Sequence, residues 1–398
     1  MSDSLVEMLR DSARDYAARE KDLRALRERR ARPPGHDAAG FARMHELGWR
    51  GALVHEAHGG AGVGLDGMAA VARELGRALL GDVLLATSCL PVRLLQDAAA
   101  LPAAAPLLAR IAAGDTVLAL AWQEQPDGLD PAAIETQARA VPGGGEADVV
   151  LRGTKRWVAG GEAADGFLVS ARHEEGAEKG EREGAGAGVL VAYVPRDAPG
   201  LAIETRWLVD GSASTTLVLH DVPAATRLVA PAHGAAALAR ALDATTVAAS
   251  AELLGIADAA FDMTLDYLKT RVQYDKPIGS FQALQHKAVD LLVQRELAAS
   301  VLEEALAAFA DGGAGRAGGA EGANGSEGEM ERRRIASRCK ARCSDAALRI
   351  TRECIQLHGA IGYTEEYDLG LFVKAALVRA AWLGGAPAHR RRHAGLAD

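Results

Sequence analysis

The chain is expected to fold as an α+β protein in which a sheet domain, residues 119–228, lies in sequence between helical domains at 1–118 and 229–398. Three observations in the 398-residue sequence lead there. From Ser4 to about Leu118 the text is rich in alanine, leucine and arginine and carries helical periodicity. From about Ala119 to Leu228 it changes to short β-rich runs separated by turn formers. Beyond Pro231 the helical periodicity returns.

The first block is broken at Pro33-Pro34-Gly35, at the glycines from Gly59 to Gly67, and at Pro91 and Pro102, residues that interrupt a helical hydrogen-bond ladder. In the middle block four strands are expected, around Asp148-Val149-Val150-Leu151, Gly166-Phe167-Leu168-Val169, Val189 to Val194, and Thr215 to Leu219. The charged, glycine-rich stretch from Glu174 to Gly188 reads as a long hairpin loop. In the last block Leu254, Ala257, Phe261, Leu265 and Leu268 form one helical stripe. The run from Asp311 to Met330 is mostly glycine, alanine, glutamate and serine, which cannot bury enough apolar surface to order itself, so a flexible loop at 311–330 is expected between two helices.

Composition narrows the function. With 49% hydrophobic residues the chain is globular, and its length suggests two or three packed units. Lys+Arg number 45 against 53 Asp+Glu, a formal charge of −8, and no basic stripe with interleaved aromatics appears, so nucleic acid is not an expected partner. No run of about 18 apolar residues and no leader-like start appear, so a cytoplasmic protein without membrane insertion is expected.

Four cysteines are too few for a disulfide scaffold. Cys339 and Cys343 stand one helical turn apart, a metal-like spacing. They belong, however, to the stripe Ile335, Cys339, Cys343, Ala346, Ile350, Cys354 and Leu357, so buried thiols and no metal are expected. The basic run from His389 to His393 reads as a solvated tail or a subunit contact. Gly62-Val63-Gly64-Leu65-Asp66-Gly67 matches a dinucleotide-binding pattern, but such a site needs a parallel βαβ unit, and here helices lie on both sides.

The segment Arg271-Val272-Gln273-Tyr274-Asp275-Lys276-Pro277-Ile278-Gly279-Ser280-Phe281-Gln282-Ala283-Leu284-Gln285-His286 resembles the signature of the acyl-CoA dehydrogenase family. Gln356-Leu357-His358-Gly359-Ala360-Ile361-Gly362-Tyr363 is similar to that family's second glycine motif. Gly153-Thr154-Lys155-Arg156-Trp157 resembles its flavin-side strand and turn, and Leu47-Gly48-Trp49 through His58-Gly59-Gly60 matches as well. The likeness runs in order over nearly the whole chain.

This resemblance implies an acyl-CoA dehydrogenase-like fold closed by a C-terminal four-helix bundle. It also implies an oxidoreductase of acyl-CoA and fatty acid metabolism that uses FAD. Arg271, Gln282, Gln356 and Gly359 would contact the cofactor, and a planar arginine suits its pyrophosphate. Gln123, Trp157 and Val158 would lie on the flavin-ring side. In the family these groups come from across a subunit boundary, so a homo- or heterotetramer, with a paralogous subunit as one option, is implied, and electron-transfer flavoprotein is the implied acceptor. Asp243, Thr245 and Thr246 align with the substrate side.

Two departures stand out. Gln123, Leu129 and Ala159 replace hydroxyl residues common in the family, removing hydrogen bonds to the flavin. The glutamate that removes the substrate α-proton aligns with Leu383 in Trp382-Leu383-Gly384-Gly385, and leucine cannot accept a proton. The alternative family position for the base aligns with Thr245. Asp243 is the remaining candidate base, although two residues turn a helix by about 200°; Glu252 shares the Thr245 face but lies roughly 10 Å further along. Three readings follow: a dehydrogenase with a relocated base or one completed by a second chain, a non-catalytic partner subunit, and a flavin oxidase or monooxygenase on the same fold.

Overall fold

A computed structural model describes residues 3–30, 36–97, 100–126, 128–141, 149–173, 188–310 and 326–396. It opens with helices α1 (Asp3–Glu20), α2 (Leu23–Arg30) and α3 (Ala38–Glu46), then α4 (Leu65–Ala78), α5 (Leu90–Leu95) and α6 (Ala104–Ala113). The local chemistry explains the boundaries. The Asp37 carboxylate caps α3 by accepting from Gly40 N, and α6 stops at Gly114, whose φ of +80° favours a residue without a side chain. The glycine-rich pattern at 62–67 is a turn leading into α4, which starts at Leu65.

The sheet follows: β1 (Leu118–Ala121), β2 (Gln137–Ala140), β3 (Val149–Ala159), β4 (Gly166–His173), β5 (Gly188–Pro195), β6 (Leu201–Trp207), β7 (Ala213–Pro223) and β8 (Thr226–Val229). Its order is β6-β7-β3-β2-β4-β5-β8, with β1 pairing parallel to β4. Alternating Leu217, Leu219 and Leu151 meet Phe167, Val169, Leu190 and Ala192 in its core. The expected strands fall within β3, β4, β5 and β7; Asp148 and most of the Glu174 to Gly188 loop lie outside the described residues.

The rest is helical: α7 (Gly234–Thr270), α8 (Gln282–Phe309), α9 (Ser326–His358), α10 (Leu369–Ala381) and α11 (Ala386–Gly395), with a small hairpin of β9 (Val272–Gln273) and β10 (Lys276–Pro277) between α7 and α8. Residues group into two compact units, one of 1–28, 64–81 and 246–398, the other of 29–63 and 82–245. In the first, Asp258 of α7 accepts from Arg73 of α4 at 2.8 and 3.0 Å and from Arg295 of α8 at 2.8 Å, fastening three helices at one buried carboxylate. Gly255 lets the α4 backbone come close: a Cβ there would stand 2.0 Å from Arg73 O.

Two expectations need correction. Helix α9 begins at Ser326, so residues 326–330 are helical, with Glu327 and Glu329 in a first turn that favours negative charge; residues 311–325 lie outside the described part. The basic run at 389–393 is not a solvated tail. It is part of α11, with His389 buried, Arg390 paired with Asp345, and Arg392 donating to Ser337 Oγ at 3.2 Å.

The cysteine stripe of α9 is buried and unbridged, as its spacing predicts. Helix α7 is long and apolar enough to cross a membrane, with a mean hydropathy of 1.2 over its most apolar window, but all of that window is buried, as in a core helix. The stretch Leu369–Gly395 passes the same test and is half buried.

Candidate functional site

One set of the expected residues gathers at one end of the first unit. Helix α7 stops at Thr270, and the Arg271 carbonyl then accepts from Ile278 N at 2.8 Å, closing the small hairpin. Its turn residues Tyr274 and Asp275 have φ of +52° and +63°, the pair of positive angles that a two-residue hairpin loop requires. Buried Ile278 anchors the following turn, and α8 starts at Gln282. The Arg271 and Gln282 side chains are exposed, and neither has an ion pair or hydrogen bond among the described residues.

The C-terminal end of α9 comes to the same place. The Tyr267 ring stacks on His358 with centroids 4.3 Å apart, and its hydroxyl donates to His358 O. His358 Nδ1 donates to Cys354 O at 2.8 Å, and burial lowers its pKa. Gln356 is exposed and accepts from Tyr363 OH at 3.3 Å. Gly359 sits at φ +65° with open space where a Cβ would be, so the glycine answers a backbone need.

The second unit carries the residues expected on the flavin-ring side. Between Lys155 and Val158 the pairing of β3 with β7 shifts register, placing Arg156 and Trp157 opposite one residue of β7. This bulge holds Trp157 at φ +53° with 42% of its surface exposed, while Val158 is buried. The Gln123 amide donates to Gln125 O at 3.2 Å.

On α7, Asp243, Thr245 and Thr246 are buried. The Thr245 hydroxyl donates to Ala241 O at 2.8 Å and lies 3.6 Å from Cys89 Sγ. Ser250 Oγ donates to Thr246 O at 2.8 Å. Glu252 is held by Arg379 Nε at 2.9 Å, so its carboxylate serves an ion pair.

The turn that carries position 383 is held from several sides. After α10, Leu383 takes φ +60° and Gly384 φ +96°, and Gly385 caps α11. Leu383 is 2% exposed. Lys340 of α9 donates to Arg379 O at 2.8 Å, Ala380 O at 3.0 Å and Ser344 Oγ at 3.3 Å. Burial lowers its pKa to about 7, against the nearby Cys343, Cys339 and Glu252. His389 Nε2 donates to Leu383 O at 2.9 Å, and burial, helped by Lys340, lowers its pKa to about 3. Sequence reasoning passed over Lys340 and read His389 only as part of a basic run; only the placement of Lys340 on the cysteine stripe's helix hinted that it is buried.

Comparison with known proteins defines the class. Family models described as acyl-CoA dehydrogenase N-terminal, middle and C-terminal domains match residues 5–115, 119–222 and 232–394. The chain belongs to the acyl-CoA dehydrogenase family, oxidoreductases acting on the CH–CH bonds of acyl-CoA thioesters, and has that family's fold of N-terminal helical, middle β and C-terminal helical domains. It is 27% identical to "Acryloyl-CoA reductase (NADH)" of Anaerotignum propionicum over 96% of this chain and 92% of that protein. Among solved structures it resembles the Tcur3481-Tcur3483 steroid ACAD, solved as a single-residue variant, with 27% identity, a TM-score of 0.81 and coverage of 98% and 97%. Butyryl-CoA dehydrogenase from Megasphaera elsdenii, 24% identical with a TM-score of 0.81 over 99% and 98%, shares the fold.

Proposed function

We propose that this chain is a FAD-binding subunit of an enzyme that desaturates an acyl-CoA thioester between its α and β carbons, and that a second, paralogous chain completes the reaction centre. The carrying observation is Leu383, a buried apolar side chain at the position that the motif resemblance aligns with the family's base. Bound FAD would supply the hydride acceptor.

The residues present fit that cofactor. The exposed Arg271 guanidinium, unpaired among the described residues, gives charge-assisted hydrogen bonds to the pyrophosphate, with Gln282 and Gln356 as neutral donors beside it. Gly359 leaves open space for close approach. On the other unit Trp157 is exposed and, with buried Val158 and with Gln123, would supply the flavin-ring side. In the oligomer the Arg271 set serves the flavin of a neighbouring chain. Asp243, Thr245 and Thr246 border the acyl-CoA, and Asp243 is the one carboxylate among them that a relocated base would use.

An apolar stripe on α8 supports assembly. Val289, Val293 and Leu297 recur every four residues, Leu292 lies beside them, and all four are exposed. The solved steroid ACAD whose name joins two chains supports a heteromeric arrangement. Electron-transfer flavoprotein is the proposed acceptor and the cytoplasm the proposed location.

The test is turnover with an artificial electron acceptor across short, medium and long acyl-CoAs, for the chain alone and with candidate paralogous chains. Turnover that depends on the second chain is the expected result. Brisk turnover by the chain alone, abolished by Asp243→Ala, would install Asp243 as the base and remove the need for a partner.

A further inference from the structure

A buried ion pair lies beneath the flavin-side residues, and the proposed desaturation makes no use of it. Lys155 of β3 is fully buried, an uncommon place for a lysine. Its ammonium donates to Glu124 Oε1 at 2.6 Å, to Ser170 Oγ of β4 at 3.0 Å and to Trp122 O at 3.4 Å. The Glu124 carboxylate also accepts from Thr136 N at 2.9 Å and Glu135 N at 2.5 Å. Burial pushes Lys155 down to about 8. Burial raises the Glu124 carboxyl, but the Lys155 charge and the hydrogen bonds from Lys155, Thr136 and Glu135 outweigh it and hold it below the usual carboxylate range.

These contacts bracket one residue. Lys155 grips the carbonyl just before Gln123 and the side chain just after it, and Gln123 O itself accepts from Arg156 N at 2.8 Å. Arg156 begins the bulge that turns Trp157 outward. The segment of Gln123 and the bulge of Trp157 are therefore tied together at three consecutive residues, with Lys155 at the root of both. For folding stability alone, a well-packed apolar pair commonly does as well as a buried ion pair. An ion pair also fixes direction, since each hydrogen bond sets where the loop backbone stands.

We infer that Lys155 and Glu124 are a positioning pair, which holds Gln123 and Trp157 in one fixed arrangement for the flavin ring. This rests on the reading of those two residues as ring contacts.

The test separates stability from positioning by comparing the full-length wild type with Lys155→Met/Glu124→Leu, which removes both charges at similar volume. Melting temperature, FAD dissociation constant, the visible flavin spectrum and backbone hydrogen exchange of the apoprotein are measured. The double variant is expected to melt near the wild type yet bind FAD about tenfold or more weakly, with an altered flavin band. Amides of residues 123–126 and 156–158 should exchange about tenfold faster while the rest of the sheet is unchanged.

Wild-type affinity, spectrum and exchange in a stable double variant would overturn the inference. If the double variant does not fold, Glu124→Gln, which keeps the volume and loses the charge, is read by the same criteria. If the wild type itself takes up no FAD, the reading as a flavin subunit fails. The exchange measurement then decides the positioning role by itself: acceleration confined to the two segments supports it, and none overturns it.

Discussion

Replacing His389 with glutamine removes one buried titration from the chain. In the wild type, His389 Nε2 donates to the Leu383 carbonyl at 2.9 Å, and burial lowers its pKa from 6.5 to about 3. The unfolded chain therefore binds one more proton than the folded one between those values. The stability His389 contributes is complete above pH 6.5 and is lost as pH falls from there toward 3. At 1.36 kcal/mol per unit, the loss relative to pH 8 is about 1.4 kcal/mol at pH 5.5 and about 2.7 kcal/mol at pH 4.5. The glutamine amide keeps an N–H to donate and cannot take up a proton in this range. Urea unfolding of wild type and His389→Gln at pH 8, 6.5, 5.5 and 4.5 gives the difference curve, in which titrating groups distant from His389 cancel and its neighbour Lys340 does not fully. The wild type should lose ground by those amounts. Parallel curves would show that His389 takes up its proton as readily in the folded chain as in the unfolded one, and that the turn after α10 is not held as described.

Three further changes test the site. Arg271→Ala should weaken FAD retention roughly tenfold to hundredfold, since a charge-assisted hydrogen bond is worth about 1.5–3 kcal/mol; unchanged flavin occupancy after gel filtration would remove Arg271 from the site. Leu383→Glu should raise dehydrogenation by the isolated chain by up to ~10²–10⁴-fold, the range a positioned base supplies. The gain should stay below that ceiling, because burial raises a carboxyl pKa and Gly385 brings no hydroxyl; no gain at all would mean that position 383 does not face the substrate. Val293→Asp should weaken assembly at least about tenfold in sedimentation velocity, because burying an unpaired carboxylate is costly; an unchanged oligomer would show that this face of α8 stays in solvent.

Much of the fold is legible in the sequence because it rests on local periodicity. The β-rich runs of the middle block form β3, β4, β5 and β7, and the seven-residue stripe through Cys339 and Cys343 is the buried face of α9. What does not show is set by tertiary contact. Residues 326–330 look like linker by composition, yet they extend α9, whose buried face begins only at Ile335. The basic run at 389–393 looks like a solvated tail because arginines usually are solvated; Arg390 and Arg391 are indeed exposed, but the run forms α11, which buries His389 and joins Arg390 and Arg392 to α9.

The site shows the same division. Arg271, Gln282, Gln356 and Gly359 stand out by motif resemblance, and the structure gathers them at one end of three helices. The burial of Lys155, Lys340 and His389 does not show in this way, since burial of a charged or titratable side chain is decided by partners distant in sequence. Glu124 lies 31 residues from Lys155, and the carbonyl of Arg379 lies 39 from Lys340. The leucine at 383 is visible at once because it breaks a motif, but the Lys340 and His389 contacts that hold its turn are not.

The most direct measurement is the visible spectrum of the purified chain, mixed anaerobically with saturated acyl-CoAs of short, medium and long chain. The expected result is an oxidised-flavin band that persists for minutes with every thioester and bleaches once the paralogous chain is added. Rapid bleaching of the chain alone would contradict the claim that it lacks its own base, and the absence of any flavin band would contradict the claim that it binds FAD.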